Sequence, residues 1–224
     1  MRAVGVNPNG GKRTQILIAD DHELIRRGLR IALQSHPGWT VCAECANGRD
    51  AVDEAKTLRP DVAVLDIAMP ELNGIDAARQ IKRVTPRTEV LLISNHYADH
   101  LVREMFAAGV RGFVLKSDAD DDVLRAVEYL VQHKPYFTPR AMRLLVSDAA
   151  DDTVPRPPRE LLTPRERELV QMLSEGKSTK EIAVELNVSI KTAETHRANI
   201  MRKLNVHSIQ EVILYALRNK IVDL

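Results

Sequence analysis

Asp61-Val62-Ala63-Val64-Leu65-Asp66 is a short apolar run with no helical period, entered from Pro60 and ending on a carboxylate. The stretch after it, Ile67-Ala68-Met69-Pro70-Glu71-Leu72-Asn73-Gly74, is rich in turn formers. A continuous apolar run of this length predicts a strand buried on both faces, the kind found in parallel sheets. Open parallel sheets place their chemistry beyond the carboxyl ends of their strands. Asp66 stands at that spot.

Outward from this strand, the same grammar repeats. Gln15-Ile16-Leu17-Ile18-Ala19 reads as a buried strand ending in Asp20-Asp21, followed by a helical pattern at Leu24, Ile25, Leu29, Ile31, Ala32 and Leu33 that Pro37-Gly38 stops. A strand around Val41 and a helix from Asn47-Gly48 to Leu58 come next. Beyond Asp66 the pattern predicts a helix from Ile75 to Val84, a strand Glu89–Ile93 ending at Ser94, and a helix from Asp99 to Ala108 stopped by Gly109. A fifth strand, Gly112–Leu115, ends at Lys116, and Asp120–Gln132 is the fifth helix. Strict alternation predicts an α/β domain with a doubly wound, five-stranded parallel sheet, its right-handed crossovers covering both faces.

After a short helix near Pro139–Val146 the composition changes. Ser147–Pro158 is polar, acidic and proline-rich, as an interdomain linker is. Beyond it only helices are predicted, opened by Thr163-Pro164-Arg165-Glu166, Ser178-Thr179-Lys180-Glu181 and Ser208-Ile209-Gln210-Glu211 as capping boxes, with Ser189 as a further cap. The expected plan is a disordered leader over 1–14, an α/β domain over 15–134, a short helix and linker over 135–158, and a small all-α domain over 159–224.

The 224 residues carry a net charge of +1 and 44% hydrophobic residues, with no apolar run of membrane-span length. The leader has no signal-peptide core. Cys42 and Cys45 lie three apart in a strand, where alternation sends their sulfurs to opposite faces. No second Cys or His pair completes a zinc site, so they read as small buried residues of a reducing cytoplasm.

Asp20, Asp21, Asp66, Ser94 and Lys116 all fall at strand ends that this sheet can bring together. Carboxylates with one lysine suit a hard divalent cation such as Mg²⁺ and phosphoryl transfer onto Asp66, with Lys116 and the Ser94 hydroxyl meeting the transferred group. A metal-dependent phosphatase with an aspartyl nucleophile would carry a second Asp two residues on; that position is Ala68. The enzyme reading therefore loses.

With these residues in place, the α/β part resembles the receiver domain of two-component response regulators, and the remainder resembles the NarL/FixJ (LuxR-type) output class. The resemblance implies Asp66 as phosphoacceptor, a histidine kinase as its donor, Asp20 and Asp21 with Asp66 and the Ala68 carbonyl as the Mg²⁺ site, Ser94 and Phe113 as switch residues, and Lys116 as the phosphoryl-facing lysine. Ala68 offers no group to orient a hydrolytic water and His96 is large enough to crowd it, so slow self-dephosphorylation is expected.

In the helical part, Leu162–Glu168, Gly176–Ala183 and Lys191–His196 resemble the LuxR-type helix-turn-helix, with Thr179–Leu186 as scaffold and Ile190–Leu204 as recognition helix. At 100° per residue, Ala193, Ile200 and Leu204 face the bundle core, with His196 at its edge, while Lys191, Thr195, Ala198 and Arg202 face away. Base reading is expected from Lys191, Glu194, Thr195 and Ala198, and phosphate contacts from Thr192, Asn199, Arg202 and Lys203. Residues 159–224 hold eleven Lys and Arg against nine Asp and Glu, so phosphate binding must come from local placement. The implied partner is double-stranded promoter DNA, bound as a homodimer when phosphorylated; the alternative is a helical module that binds protein or RNA. In the resting state the receiver is expected to cover the recognition helix, and Val212–Tyr215 to pair two copies on release.

Overall fold

The computed structural model describes residues 13–95, 104–116, 120–138, 142, 162–219 and 221–222. The leader up to residue 12, the start of the helix placed at Asp99, His96, nearly all of the short helix at 139–146 and the linker at 147–158 lie outside the described residues.

The first domain is a parallel sheet of strands β1 (Thr14–Ala19), β2 (Trp39–Cys45), β3 (Val62–Asp66), β4 (Glu89–Ser94), β5 (Gly112–Leu115) and β6 (Tyr136–Phe137), in the order β2-β1-β3-β4-β5-β6. Helices α1 (Glu23–Ser35), α2 (Gly48–Leu58), α3 (Gly74–Val84) and α4 (Asp120–Val131) alternate with the strands, and residues 104–107 are also helical. Successive residues of each strand serve opposite layers. Leu17, Ala63, Leu65, Val90, Leu92 and Phe113 pack with α2 and α3. Ile16, Ile18, Val62, Val64, Leu91 and Val114 pack with α1 and α4. All five residues of β3 are buried; burying each Val or Leu contributes about 1.5–3 kcal/mol.

Two details depart from the sequence expectation. Among the described residues the sheet has six strands, not five. Tyr136 and Phe137 pair in parallel with Gly112 and Phe113, held by stacking of Phe137 on Phe106 and an edge contact of Tyr136 with Tyr129. Two residues are too short to announce a strand by alternation. The cysteines also do not separate: β1 pairs Val41 with Ile16 but Ala43 with Leu17, so Cys42 is an inserted bulge residue. The bulge resets the alternation, and Cys42 and Cys45 pack toward the same layer. Burial pushes their thiols up, to about 11 and about 12, leaving both unreactive at neutral pH.

The second domain comprises α5 (Pro164–Ser174), α6 (Thr179–Glu185), α7 (Ile190–Leu204) and α8 (Ile209–Arg218) around its own core of Leu162, Leu169, Leu173, Ile182, Ile200 and Val212. Thr163 with Glu166 and Ser178 with Glu181 form complete capping boxes, and Ser189 caps α7. The third box is half made. Ser208 accepts from the Glu211 amide, but the Glu211 carboxylate turns to the His207 amide at 2.7 Å.

Candidate phosphoryl-acceptor site and DNA-reading helix

The strand order reverses direction between β1 and β3, and their carboxyl ends lie side by side. That crevice holds the polar cluster. Asp66, 3% exposed, ends β3, and fully buried Asp20 follows β1. Lys116, following β5, sets its Nζ 2.7 Å from Asp20 Oδ2 and 2.9 Å from Asp66 Oδ2. The Lys116 amide donates to the Ser94 carbonyl at 2.8 Å, which seats the lysine beside the end of β4. The two contacts of Nζ are ionic rather than well-aligned hydrogen bonds, since Nζ and Asp20 Oδ2 both lack a hydrogen-bond partner of good geometry.

Burial raises the Asp66 carboxyl from its ordinary 3.8 to about 6; Lys116 counteracts this, and Asp20 and Asp21 add to it. For Lys116, burial alone would favour the neutral amine, but the two carboxylates outweigh it and hold its pKa above the ordinary value. The cluster is thus a stressed set of anions held by one cation.

Asp20, Asp21, His22 and Asp66 offer ligand atoms within 4.8 Å of one another. Three are carboxylate oxygens, and Asp20 also holds, among the described residues, a buried acceptor without a hydrogen bond of good geometry, its Oδ2. This donor set fits a hard divalent cation. His22 went unremarked in the sequence. Its Nδ1 lies 2.7 Å from Asp21 Oδ1, and its amide donates to Asp20 Oδ1 at 2.8 Å, so it orients both acids. Arg26 adds a bond from Nη1 to the Asp20 carbonyl at 2.7 Å. Close packing completes the frame: a Cβ on Gly74 would fall 2.0 Å from the Asp66 carbonyl oxygen, so only glycine lets α3 begin there.

Ser94 and Phe113 are both buried, Phe113 against the α2–α3 layer. Ala68 is half-buried in the loop directly after Ile67.

In the second domain Ala193 and Ile200 are fully buried and Leu204 packs on the same core. Lys191, Thr192, Glu194, Thr195, Ala198, Arg202 and Lys203 are exposed, and Asn199 and His196 half-exposed. Several of these are already engaged. Lys203 Nζ pairs with both carboxylate oxygens of Glu166 at 2.7 Å. Arg202 donates to Asn199 Oδ1 at 2.9 Å, and the Thr192 hydroxyl meets Ser189 Oγ at 2.7 Å.

Residues 16–128 match the response regulator receiver domain, and residues 160–216 match the bacterial regulatory proteins of the luxR family. The response regulator protein VraR of Staphylococcus aureus (strain NCTC 8325 / PS 47) is 31% identical over 212 residues, covering 93% of this chain and 99% of its own. The chain belongs to the luxR-family response regulators. Among solved structures of such regulators, RcsB from Salmonella enterica serovar Typhimurium, bound to promoter rprA in the presence of the phosphomimetic BeF3-, superposes with a TM-score of 0.61 at 26% identity, covering 91% of this chain and 98% of that one. A LuxR-family two-component regulator from Aurantimonas sp. SI85-9A1 gives a TM-score of 0.59 at 26% identity over 62% of this chain and 99% of its own.

In this response regulator the described residues of the receiver do not cover the recognition helix, contrary to the sequence expectation: the outward face of α7 is exposed. The helix that docks is α5. Its apolar residues Leu169, Val170, Met172 and Leu173 fill the output core, and its polar residues Arg167, Glu168 and Gln171 are buried against the receiver. Gln80 Nε2 donates to Glu168 Oε1 at 2.5 Å, Arg49 lies 3.7 Å from Glu168, and Arg167 bonds Glu104 and sits 3.8 Å from Asp76. Burial raises the Asp76 carboxyl pKa, while Arg167 and Arg79 counteract it. The expected pairing segment also needs correction. Val212 is fully buried in the output core and Tyr215 packs partly against it, whereas Leu214 is 50% exposed and Ile213 half-exposed, so Ile213 and Leu214 are the residues of that segment on offer from α8.

Proposed function

We propose that this luxR-family response regulator is a phosphorylation-gated transcription regulator whose acceptor is Asp66. An Asp66 oxygen attacks phosphorus, the bond from phosphorus to the histidine kinase imidazole breaks, and the phosphoryl group passes to the carboxylate. A carboxyl with a pKa of about 6 is mostly ionised at neutral pH, as a nucleophile must be. Lys116, already against Asp66 Oδ2, meets the charge on the incoming oxygens, and the Ser94 hydroxyl is the group to turn toward it. Asp20, Asp21, Asp66 and the Ala68 carbonyl are the residues to hold Mg²⁺, which supplies further charge neutralisation when bound. The observation that carries this reading is the buried triangle of Asp66, Lys116 and Asp20 at the reversal point of a parallel sheet.

The phosphoryl group adds about −1.5 to −2 charges, by analogy with other phosphorylated side chains. Ser94 moves toward it and Phe113 turns into the space vacated. Docking through α5 fixes the output domain in one orientation, and its release lets two copies sit on half-sites about one helical turn apart. The solved RcsB complex with two dimers on two parallel DNAs supports dimeric binding to duplex DNA. Among the described residues no helix is long and apolar enough to cross a membrane, which accords with a cytoplasmic regulator. Labelling by a small-molecule phosphodonor with Mg²⁺ is expected to be acid-labile, and Asp66→Asn to abolish it. Undiminished labelling of that variant would overturn the assignment.

A further inference from the structure

We propose that Gln171, seconded by Glu175, is a positioning residue for the phosphoacceptor site: from the output domain it holds the 69–73 loop in the conformation of the unphosphorylated chain. This rests on Asp66 being the acceptor.

Gln171 is 0% exposed, and every polar valence of its amide is used. Its Nε2 donates to the Met69 carbonyl at 2.8 Å and to Glu175 Oε1 at 3.0 Å. Its Oε1 accepts from the Asn73 amide at 2.9 Å and from Asn73 Nδ2 at 3.4 Å. Glu175 Oε1 accepts in turn from the Glu71 amide at 2.8 Å. Three backbone groups of one short loop are therefore tied to one helix of the other domain. That loop starts three residues after Asp66 and directly follows Ala68.

Two features mark these contacts as more than incidental. Glu71 has φ of +65°, a region that a residue with a Cβ occupies against a steric penalty. Its amide is the one that Glu175 holds. Glu175 itself is the C-cap residue of α5, where a carboxylate sits at the unfavourable end of the helix dipole. The Glu71 amide and the Gln171 amide offset that placement. Neither side chain belongs to the apolar core of the output domain, where the further partner of Glu175 is Lys177, with Nζ 3.8 Å from its carboxylate.

A phosphoryl group on Asp66 and a cation drawing on the Ala68 carbonyl both pull on the start of this loop. Tied at Met69, Glu71 and Asn73, the loop cannot follow without breaking its bonds to α5. Docking and occupancy of the acceptor site thus oppose each other, and linkage makes the opposition reciprocal: the factor by which docking weakens occupancy is the factor by which occupancy weakens docking.

The test uses the full chain as wild type, Gln171→Ala and Glu175→Ala, with two readouts. The first is amide hydrogen exchange at Glu71 and Asn73 without Mg²⁺ or phosphoryl mimic. The second is the half-saturating concentration of beryllofluoride in Mg²⁺, followed by fluorine NMR. In Gln171→Ala both amides are expected to exchange at least about tenfold faster, and beryllofluoride to bind about three- to tenfold more tightly, the scale of one or two net hydrogen bonds. Glu175→Ala is expected to speed exchange chiefly at the Glu71 amide, whose acceptor it removes, and to tighten beryllofluoride binding by less than Gln171→Ala does, and it covers the case that Gln171→Ala fails to fold. Unchanged exchange would show that α5 does not clamp the loop in solution. Faster exchange with unchanged or weaker beryllofluoride binding would show a clamp that does not govern the site; either result overturns the proposal. If the wild type binds no beryllofluoride while its exchange responds, it is the acceptor assignment that has failed, and the coupling falls with it.

Discussion

Asp66→Asn has a consequence for stability that is separate from signalling. In the metal-free protein the Asp66 carboxyl is raised from 3.8 to about 6, because it is buried and faces Asp20 and Asp21, with Lys116 only partly compensating. A carboxyl raised in the folded state binds its proton more tightly there than in the unfolded chain. Its cost to folding is therefore absent below about pH 4, grows as pH rises, and is complete above about pH 6. A displacement of that size corresponds to about 3 kcal/mol at pH 8. Asparagine keeps the shape and an acceptor for Lys116 but removes the charge, and Lys116 retains Asp20 at 2.7 Å. Allowing for the attraction Lys116 loses, Asp66→Asn is expected to stabilise the receiver by about 1–3 kcal/mol at pH 8, a rise of about 3–8 °C in melting temperature. Calorimetry in chelator at pH 4 and pH 8 measures it, with the two proteins melting together at pH 4 apart from common acid effects. Added Mg²⁺ is expected to raise the wild-type melting temperature more than that of the variant. A variant melting at or below the wild type at pH 8 would refute the picture of an over-charged crevice.

Other perturbations separate roles along the rest of the chain. Arg202→Ala is expected to weaken binding to all duplexes alike and to flatten the salt dependence by about one unit of slope; a changed sequence preference at unchanged slope would mean that α7 docks differently. Lys203→Ala is expected to lower output-domain stability by about 0.5–1 kcal/mol, because its partner Glu166 belongs to the α5 capping box; thermal melts of residues 159–224 report it. Those residues alone, having their own core, are expected to bind target DNA without any phosphodonor at least as well as the phosphorylated full chain, by gel shift. Binding no better than the unphosphorylated full chain would place the switch wholly in receiver-driven pairing. His96→Ala is expected to change the rate at which phosphorylated protein loses its label, and equal rates would make His96 a bystander.

Much of the architecture is legible because the signals are local. The runs at Ile16–Ala19 and Val62–Leu65 are apolar without period, and both prove buried on two faces. Carboxylates and a lysine at three strand ends meet because a parallel sheet aligns those ends. Helix starts at Thr163, Ser178 and Ser189 are announced by side chains that bond their own first turns. What escapes is non-local. The bulge at Cys42 depends on the register against β1, which no pattern in β2 records. Nothing local to Gln171 singles it out, and only the receiver lying against α5 makes it a buried group with four hydrogen bonds. Val212 is apolar like its neighbours Ile213 and Leu214, and the helical phase of α8 against α5 decides that it faces inward while Leu214 does not.

The most direct test is footprinting of the full chain on its own upstream DNA, with Mg²⁺ and with or without a small-molecule phosphodonor, beside Asp66→Asn. Expected is salt-sensitive protection of two half-sites about one helical turn apart, strengthened by the donor in the wild type and indifferent to it in the variant. Equal protection by both proteins, with and without donor, would contradict control of DNA binding by the carboxylate at the end of β3.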